Sequence, residues 1–168
     1  MRRVGRQVAA ILLICSFLVG LCSCGARREA DGVLSELLAV SSLGRGVVYS
    51  SRAAAGDAGY ASESLLSALY GEASISHEFK KLESFAIYSS GRMELCEVAV
   101  FCCVAASDTD LLARMCHSRI EHLTRYLAAV GENAPQMRVW VRGRWVFMAV
   151  CAEADTLMKH SSRVLARA

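Results

Sequence analysis

The sequence predicts an α+β protein: an antiparallel sheet of about four strands in the order β-β-α-β-β-α, with helices packed on it, preceded by N-terminal helices. Two observations carry this prediction. Short apolar runs separated by turn residues pair up in residues 85–105 and 137–151, and each pair is followed by a segment with apolar residues at helical spacing. We expect helices on one face of the sheet and the N-terminal helices over an end or the other face.

The N-terminal half predicts two short helices separated by a loop. Residues 33–43 are apolar enough for a first helix, and residues 44–62 are rich in Gly, Ala and Ser and predict a loop or linker. Ser62 is placed to cap a second helix, which Gly71 would stop.

The middle of the chain predicts a hairpin and a long helix. Residues 85–89 form a short strand in this prediction, and residues 93–105 form a longer one. The longer strand is apolar on both faces beyond Glu97, which favours a central position in the sheet. Ser107 with Asp110 resembles a capping box that opens the next helix.

The C-terminal part predicts a second hairpin and a final helix. Residues 137–141 and 144–151 are the strands, joined around Arg142-Gly143. Residues 155–166 are amphipathic and predict the last helix.

This second hairpin is the candidate interaction surface. Its predicted turn places Trp140 directly opposite Trp145, and Arg138, Trp140 and Arg142 share one strand face. Arginine over indole makes cation–π contacts, so the surface could bind an anionic glycan or an envelope protein. The alternative is that the tryptophans only stabilise the hairpin and the arginines are solvated.

The N-terminus predicts a cleaved lipoprotein leader. Basic residues precede an apolar run, and Leu21-Cys22-Ser23-Cys24 resembles a bacterial lipobox, with Leu21, Cys22 and Ser23 read by the peptidase and Cys24 lipidated. Residues 1–23 would be the signal peptide, 24–32 a lipidated tether and 33–168 a single domain. The alternatives are an uncleaved single-span anchor, although the apolar run is shorter than the ~20 residues that cross a bilayer, and an ordinary secreted protein.

Charge argues against a nucleic-acid-binding protein. The leader holds three of the 19 Lys and Arg residues and none of the 16 Asp and Glu residues, so the mature chain would be neutral. A neutral domain lacks the basic surface that binds phosphate backbones. The predicted membrane contact is therefore the N-terminal lipid.

The cysteines predict buried thiols. Of eight in the chain, two lie in the leader and Cys24 is the lipidation site. The other five lie in apolar segments, where free cysteine behaves as a small hydrophobe. One disulfide, or a metal or redox role, are the alternatives; no C-x-x-C pair favours them. The five are Cys96, Cys102, Cys103, Cys116 and Cys151.

Several segments together carry a family resemblance. They are Leu69-Tyr70-Gly71, Glu97-Val98-Ala99-Val100-Phe101, Arg119-Ile120-Glu121, Gly143, Val146 and Ala152–Asp155. With the lipobox, they resemble a family of small lipoproteins from Gram-positive bacteria that is catalogued as a domain of unknown function (number 4358). The similarity covers roughly residues 33–166. It implies an envelope location and an α+β fold, and it assigns no activity and no site residues.

The sequence favours a non-catalytic interaction or ligand-binding domain on the extracytoplasmic face of the cell membrane. No catalytic residue, cofactor or metal site is predicted; His117 and His122, for example, do not share a helix face. The alternative is an envelope enzyme, such as a hydrolase of wall polymers. An enzyme needs a cleft with converging polar groups and shifted pKa values, whereas an adaptor needs an exposed apolar or Arg/Trp patch.

Overall fold

The computed structural model describes residues 28–71, 79–90 and 95–166, and these form an α+β fold with a five-stranded antiparallel sheet. The predicted fold class is confirmed, with five strands in place of about four. The leader and Cys24 lie outside the described residues. The helices are α1 (Ala30–Leu38), α2 (Glu63–Tyr70), α3 (Thr109–Val130) and α4 (Ala154–Leu165), and the strands are β1 (Val47–Ser50), β2 (Leu82–Ser89), β3 (Glu97–Cys103), β4 (Met137–Arg142) and β5 (Trp145–Val150).

The sheet has the order β1-β2-β3-β5-β4, and every neighbouring pair is antiparallel. β3 lies in the middle with all of its residues buried, which confirms its predicted central position. β5 is buried along its whole length as well. A strand that is apolar on both faces must be covered on both, so the sheet needs helices on each side.

Helices cover both faces of the sheet, and the expectation that α3 and α4 share one face is wrong. Alternate strand residues point to opposite faces and belong to two separate cores. One core joins α1 and α4 to residues such as Val100 and Phe147. The other joins α2 and α3 to residues such as Phe101 and Met148. The fold is therefore three layers deep.

The helix boundaries follow local capping in part. The hydroxyl of Ser62 accepts a hydrogen bond from the backbone N–H of Leu65, and α2 stops before Gly71, as predicted. The predicted Ser107–Asp110 capping box is wrong. A short 3₁₀ turn (Ala106–Asp108) precedes α3 instead, and Asp108 makes no side-chain cap.

The folded domain begins inside the predicted tether 24–32. α1 starts at Ala30, which is fully buried and donates its backbone N–H to the hydroxyl of Ser84 over 3.1 Å. Arg28 forms an ion pair with Glu36 on α1. The part of the tether that is free of the domain is therefore shorter than predicted.

Within residues 28–71, 79–90 and 95–166, no helix is long and apolar enough to cross a membrane.

Candidate functional site

A cavity of about 990 Å³ lies at one end of the sheet, where β2 and β5 end and β3 begins. Apolar side chains form most of its wall, and polar groups are fewer. Cavities of this size and lining are typical of small-molecule sites. The apolar wall includes Leu43, Tyr88, Leu95, Leu127 and Pro135, and the polar side chains include Arg45, Glu132, Asn133 and Glu153.

The loop between α1 and β1 closes one side of the cavity, and two contacts hold it there. The hydroxyl of Tyr88 on β2 donates to the carbonyl oxygen of Gly44 over 2.9 Å. The backbone N–H of Ser42 donates to the carboxylate of Glu153 over 3.0 Å. This loop is thereby tied to the end of β2 and to the start of α4, so the cavity wall is built by three separate parts of the chain.

Two cysteines next to the ends of neighbouring strands line this cavity. The register that pairs Glu97 with Val150 places Cys96 opposite Cys151, one step beyond the assigned ladder. Both side chains lie in the core on the α1 and α4 side of the sheet, and both line the cavity. Cys96 is half-buried and Cys151 is 2% exposed.

The proximity of the two thiols moves their pKa values apart. The neighbouring Cys151 side chain, together with burial, raises the pKa of Cys96. The neighbouring Cys96 side chain lowers the pKa of Cys151; burial opposes this, and a hydrogen bond from the backbone of Glu153 adds to it. The two thiols therefore titrate as a coupled pair.

The remaining described cysteines are fully buried thiols, as predicted. Cys102 and Cys103 point into opposite cores, as adjacent strand residues must. Cys116 lies on α3, and burial raises its pKa. In the ranges that the structure describes, no cluster of three His, Cys, Asp or Glu side chains could hold a metal ion.

The predicted pairing of Trp140 with Trp145 is wrong. The turn is Gly143-Arg144 and not Arg142-Gly143, so Trp140 lies opposite Phe147 and Arg142 opposite Trp145. Gly143 has a φ of 59°, which suits the first central position of a type II′ hairpin turn. The shared face was predicted correctly, because this shift moves the pairing by two residues and keeps the alternation.

That hairpin face is covered by α4. Trp140 and Trp145 are each 8% exposed; the indole of Trp140 stacks on Phe147 at 5.1 Å and donates to the hydroxyl of Ser161 over 2.9 Å. Arg138 forms an ion pair with Asp155 on α4, whereas Arg142 is exposed. The two indoles therefore belong to a core and offer little surface to a partner.

A buried ionic cluster lies in the core on the opposite face. The Glu97 carboxylate on β3 accepts a hydrogen bond of 2.6 Å from the Tyr70 hydroxyl and two from the Arg119 guanidinium, of 2.7 and 3.2 Å. Arg119 also lies 6.0 Å from the centre of the Tyr70 ring. Sequence reasoning named these residues only as parts of three separate motifs. Their wide separation in the chain hid the contact.

Comparison with protein-family models, with curated proteins and with solved structures found no match to this chain. The resemblance to the lipoprotein family therefore stays a prediction. The predicted lipobox residues, Leu21, Cys22, Ser23 and Cys24, lie outside the described part of the chain.

Proposed function

We propose that this protein is a lipid-anchored extracytoplasmic lipoprotein whose domain binds a small organic molecule in the cavity at the end of the sheet. The cavity is the observation that carries the binding part of this proposal. Its volume of about 990 Å³ is at the upper end of the range for clefts and cavities that bind small molecules. Its mostly apolar wall suits a ligand with an apolar body.

The polar groups of the cavity favour binding over hydrolysis. A wall-polymer hydrolase that cuts glycosidic bonds uses two carboxyl groups flanking the scissile bond. Of the two carboxylates that the described residues contribute to the wall, Glu153 accepts hydrogen bonds from Ser42, whereas Glu132 lies beyond the end of α3. Glu153 is thus engaged in holding the loop, which makes it less available as a catalytic acid or base.

The lipid anchor is supported by the lipobox pattern at Leu21–Cys24. An extended chain covers at most about 3.6 Å per residue, so residues 24–28 span at most roughly 15 Å. Because Arg28 is already held by Glu36 on α1, a lipid on Cys24 would hold the domain close to the bilayer surface.

Fluorine NMR on the full chain, with trifluoromethylbenzoate as a probe, tests the binding part. The probe has an apolar body and is kept in water by its carboxylate. We expect its resonance to broaden with the wild-type protein and with Val104→Trp, and to stay sharp with Leu95→Trp. Leu95 lines the cavity just before β3, whereas Val104 follows the other end of that strand and is 57% exposed. Equal broadening with both variants, or none with the wild type, would refute a cavity site for this class of ligand.

Intact mass of the protein extracted from membranes tests the anchor. We expect a chain that begins at Cys24 and carries added acyl mass, because several chains are needed for stable anchoring. Cys22→Ser should leave this mass addition unchanged, whereas Cys24→Ser should remove it. An unmodified chain from Met1 to Ala168 in the wild type would show that the lipoprotein proposal is wrong.

The predicted partners, an envelope protein or an anionic glycan bound at the hairpin, have less support. The indoles of Trp140 and Trp145 are buried and Arg138 is paired with Asp155. Of the predicted surface, Arg142 is the exposed side chain for which the described residues provide no ion pair. One arginine is a weak basis for a docking surface.

A further inference from the structure

We propose that Cys96 and Cys151 are a redox-active pair that closes a reversible disulfide when a low-molecular-weight disulfide enters the cavity. The inference goes beyond the proposed ligand binding and does not depend on it, because it requires only the two thiols and access to them. It rests on strand geometry, on the contact between the two side chains and on their different exposure.

The backbone hydrogen bonds show what kind of cross-strand pair this is. Cys96 exchanges its bonds with Ser90, whose N–H donates to the Cys96 carbonyl over 3.0 Å and whose hydroxyl accepts from the Cys96 N–H over 3.2 Å. The N–H of Cys151 donates to the carbonyl of Gln136 over 3.0 Å. Each cysteine therefore bonds to its outer neighbour, and the two form a non-hydrogen-bonded pair with respect to each other.

Non-hydrogen-bonded antiparallel pairs have Cα atoms about 4.5 Å apart and bring their side chains closest together. Disulfides need Cα atoms at roughly 4.4–6.8 Å, so the backbone already lies within the range for a bridge. The register makes the two residues direct cross-strand neighbours, and both side chains lie in the same core, so the sulfur atoms are on the same face of the sheet. Closure requires no rearrangement of β3 against β5.

Exposure assigns the two thiols their roles. Cys96 is half-buried at the cavity wall, whereas Cys151 is 2% exposed. The pKa of Cys151 is lowered and that of Cys96 is raised, so the more acidic thiol is the less accessible one. Access decides the first step, because the attacking sulfur must line up with the disulfide it attacks. Cys96 is therefore the entry thiol and Cys151 the resolving thiol.

The chemistry balances with one external disulfide. Cys96 loses its proton to water, and its thiolate attacks one sulfur of the external disulfide to form a mixed disulfide; the other half leaves as a thiolate and takes up a proton from water. Cys151 then loses its own proton to water and attacks the Cys96 sulfur; the bond from Cys96 to the second half breaks, and that half leaves as a thiolate and takes up the second proton. Two protein thiols are oxidised, and one external disulfide is reduced to two thiols.

The other described cysteines provide the internal control. Cys102, Cys103 and Cys116 are fully buried, so a soluble disulfide cannot reach them while the domain is folded. Modification at Cys116 therefore marks chains that have unfolded, in the wild type and in every variant.

The test uses the full chain, extracted from its membrane, reduced and then incubated with oxidised glutathione. We expect peptide mapping to find Cys96 linked to Cys151, with the loss of two hydrogen masses from that peptide pair. Cys151→Ser should accumulate one glutathione on Cys96, because the resolving thiol is missing. Cys96→Ser should leave Cys151 largely unmodified over the same time.

Three results would overturn the proposal: free Cys96 and Cys151 after oxidation of the folded wild type, a bridge from either one to another cysteine, or equal glutathionylation of the two serine variants. Cys96→Ala and Cys151→Ala repeat the test without a new hydroxyl. If a variant shows Cys116 modified, that variant has unfolded, and the proposal is then judged on the peptide map of the oxidised wild type. Because the probe is oxidised glutathione, the result is independent of trifluoromethylbenzoate binding.

Discussion

At the scale of single residues, the carboxylate of Glu97 is a buried charge that depends on its hydrogen-bond partners. Its side chain is 7% exposed, and that of Arg119 is 16% exposed. Both carboxylate oxygens accept hydrogen bonds from Arg119, and the Tyr70 hydroxyl adds a third bond. A buried ion pair is stable only while each partner is present, because removing one leaves an uncompensated charge.

Arg119→Met should therefore destabilise the domain strongly. We expect a loss of about 3–5 kcal/mol in the free energy of unfolding, the usual result of breaking a buried pair. Urea unfolding followed by circular dichroism measures it. The matched control is Arg114→Met on the same helix, where the side chain is exposed and the change should stay within about 0.5 kcal/mol. Similar losses in both variants would contradict the structural role of the cluster.

The hairpin residues show what pattern can and cannot settle at this scale. Alternation correctly assigned Trp140 and Trp145 to one face of the sheet. It could not identify the turn, since Arg142-Gly143 and Gly143-Arg144 both contain the glycine and preserve the alternation. It also could not show that the face was covered, because burial depends on where α4 packs.

At the scale of secondary structure elements, β1 was missed because its own sequence carries little signal. Val47–Ser50 lies in a stretch rich in Gly, Ala and Ser, and its first two residues are exposed at the edge of the sheet. Its strand conformation comes from pairing with β2, with Val47 opposite Ser89. Edge strands of this length depend on tertiary contacts more than on propensity.

The glycine before β1 is expected to be essential for its docking. A Cβ on Gly46 would collide with the carbonyl oxygen of Ser89 and with the ring of Tyr88, whereas a Cβ on Gly44 would meet nothing within 4 Å. Gly46→Ala should cost about 1–3 kcal/mol of unfolding free energy, as overpacking usually does. Gly44→Ala is the control and should stay within about 0.5 kcal/mol. Thermal and urea unfolding of the two variants would show whether they differ; equal stability would argue against this docking geometry.

At the scale of the whole molecule, we expect the folded state to be less stable at high pH, because thiols and a tyrosine hydroxyl are buried in its cores. Burial raises the pKa of Cys103 from 9.0 to about 11, and burial also raises the pKa of Cys116 and of Tyr70. Above pH 9 the unfolded chain loses these protons while the folded chain keeps them. Since the folded state then binds more protons, its stability falls as the pH rises.

We therefore expect the urea midpoint, measured under reducing conditions, to fall between about pH 9 and about pH 11. Below this window Cys151 has the opposite effect. Its pKa is lowered by folding, so the folded chain loses this proton before the unfolded chain does, and stability rises with pH. Cys103→Ala should reduce the slope of the decline in the alkaline window, whatever its effect on stability at neutral pH. A urea midpoint that is constant or rising in this window would contradict the raised pKa values of these buried groups.

The proposed disulfide also has a consequence for global stability. A bridge between Cys96 and Cys151 would close a long loop containing α3 and β4, and the chain-entropy model assigns such a loop about 4 kcal/mol. We expect the urea midpoint to rise on oxidation of the wild type and to stay unchanged in Cys96→Ser treated identically. No difference between oxidised and reduced wild type would indicate that strain in the bridge offsets this gain.

The sequence by itself determined the α+β class, the order β-β-α-β-β-α, the central position of β3 and the two ends of α2. These follow from hydrophobic period, chain order and local capping, which act over a few residues. Only the tertiary structure decided that α3 and α4 lie on opposite faces, that Glu97 meets Arg119 and Tyr70, and that Cys96 faces Cys151 in a cavity. Such contacts join residues far apart in the chain, and their formation depends on how whole elements pack, which no local pattern records.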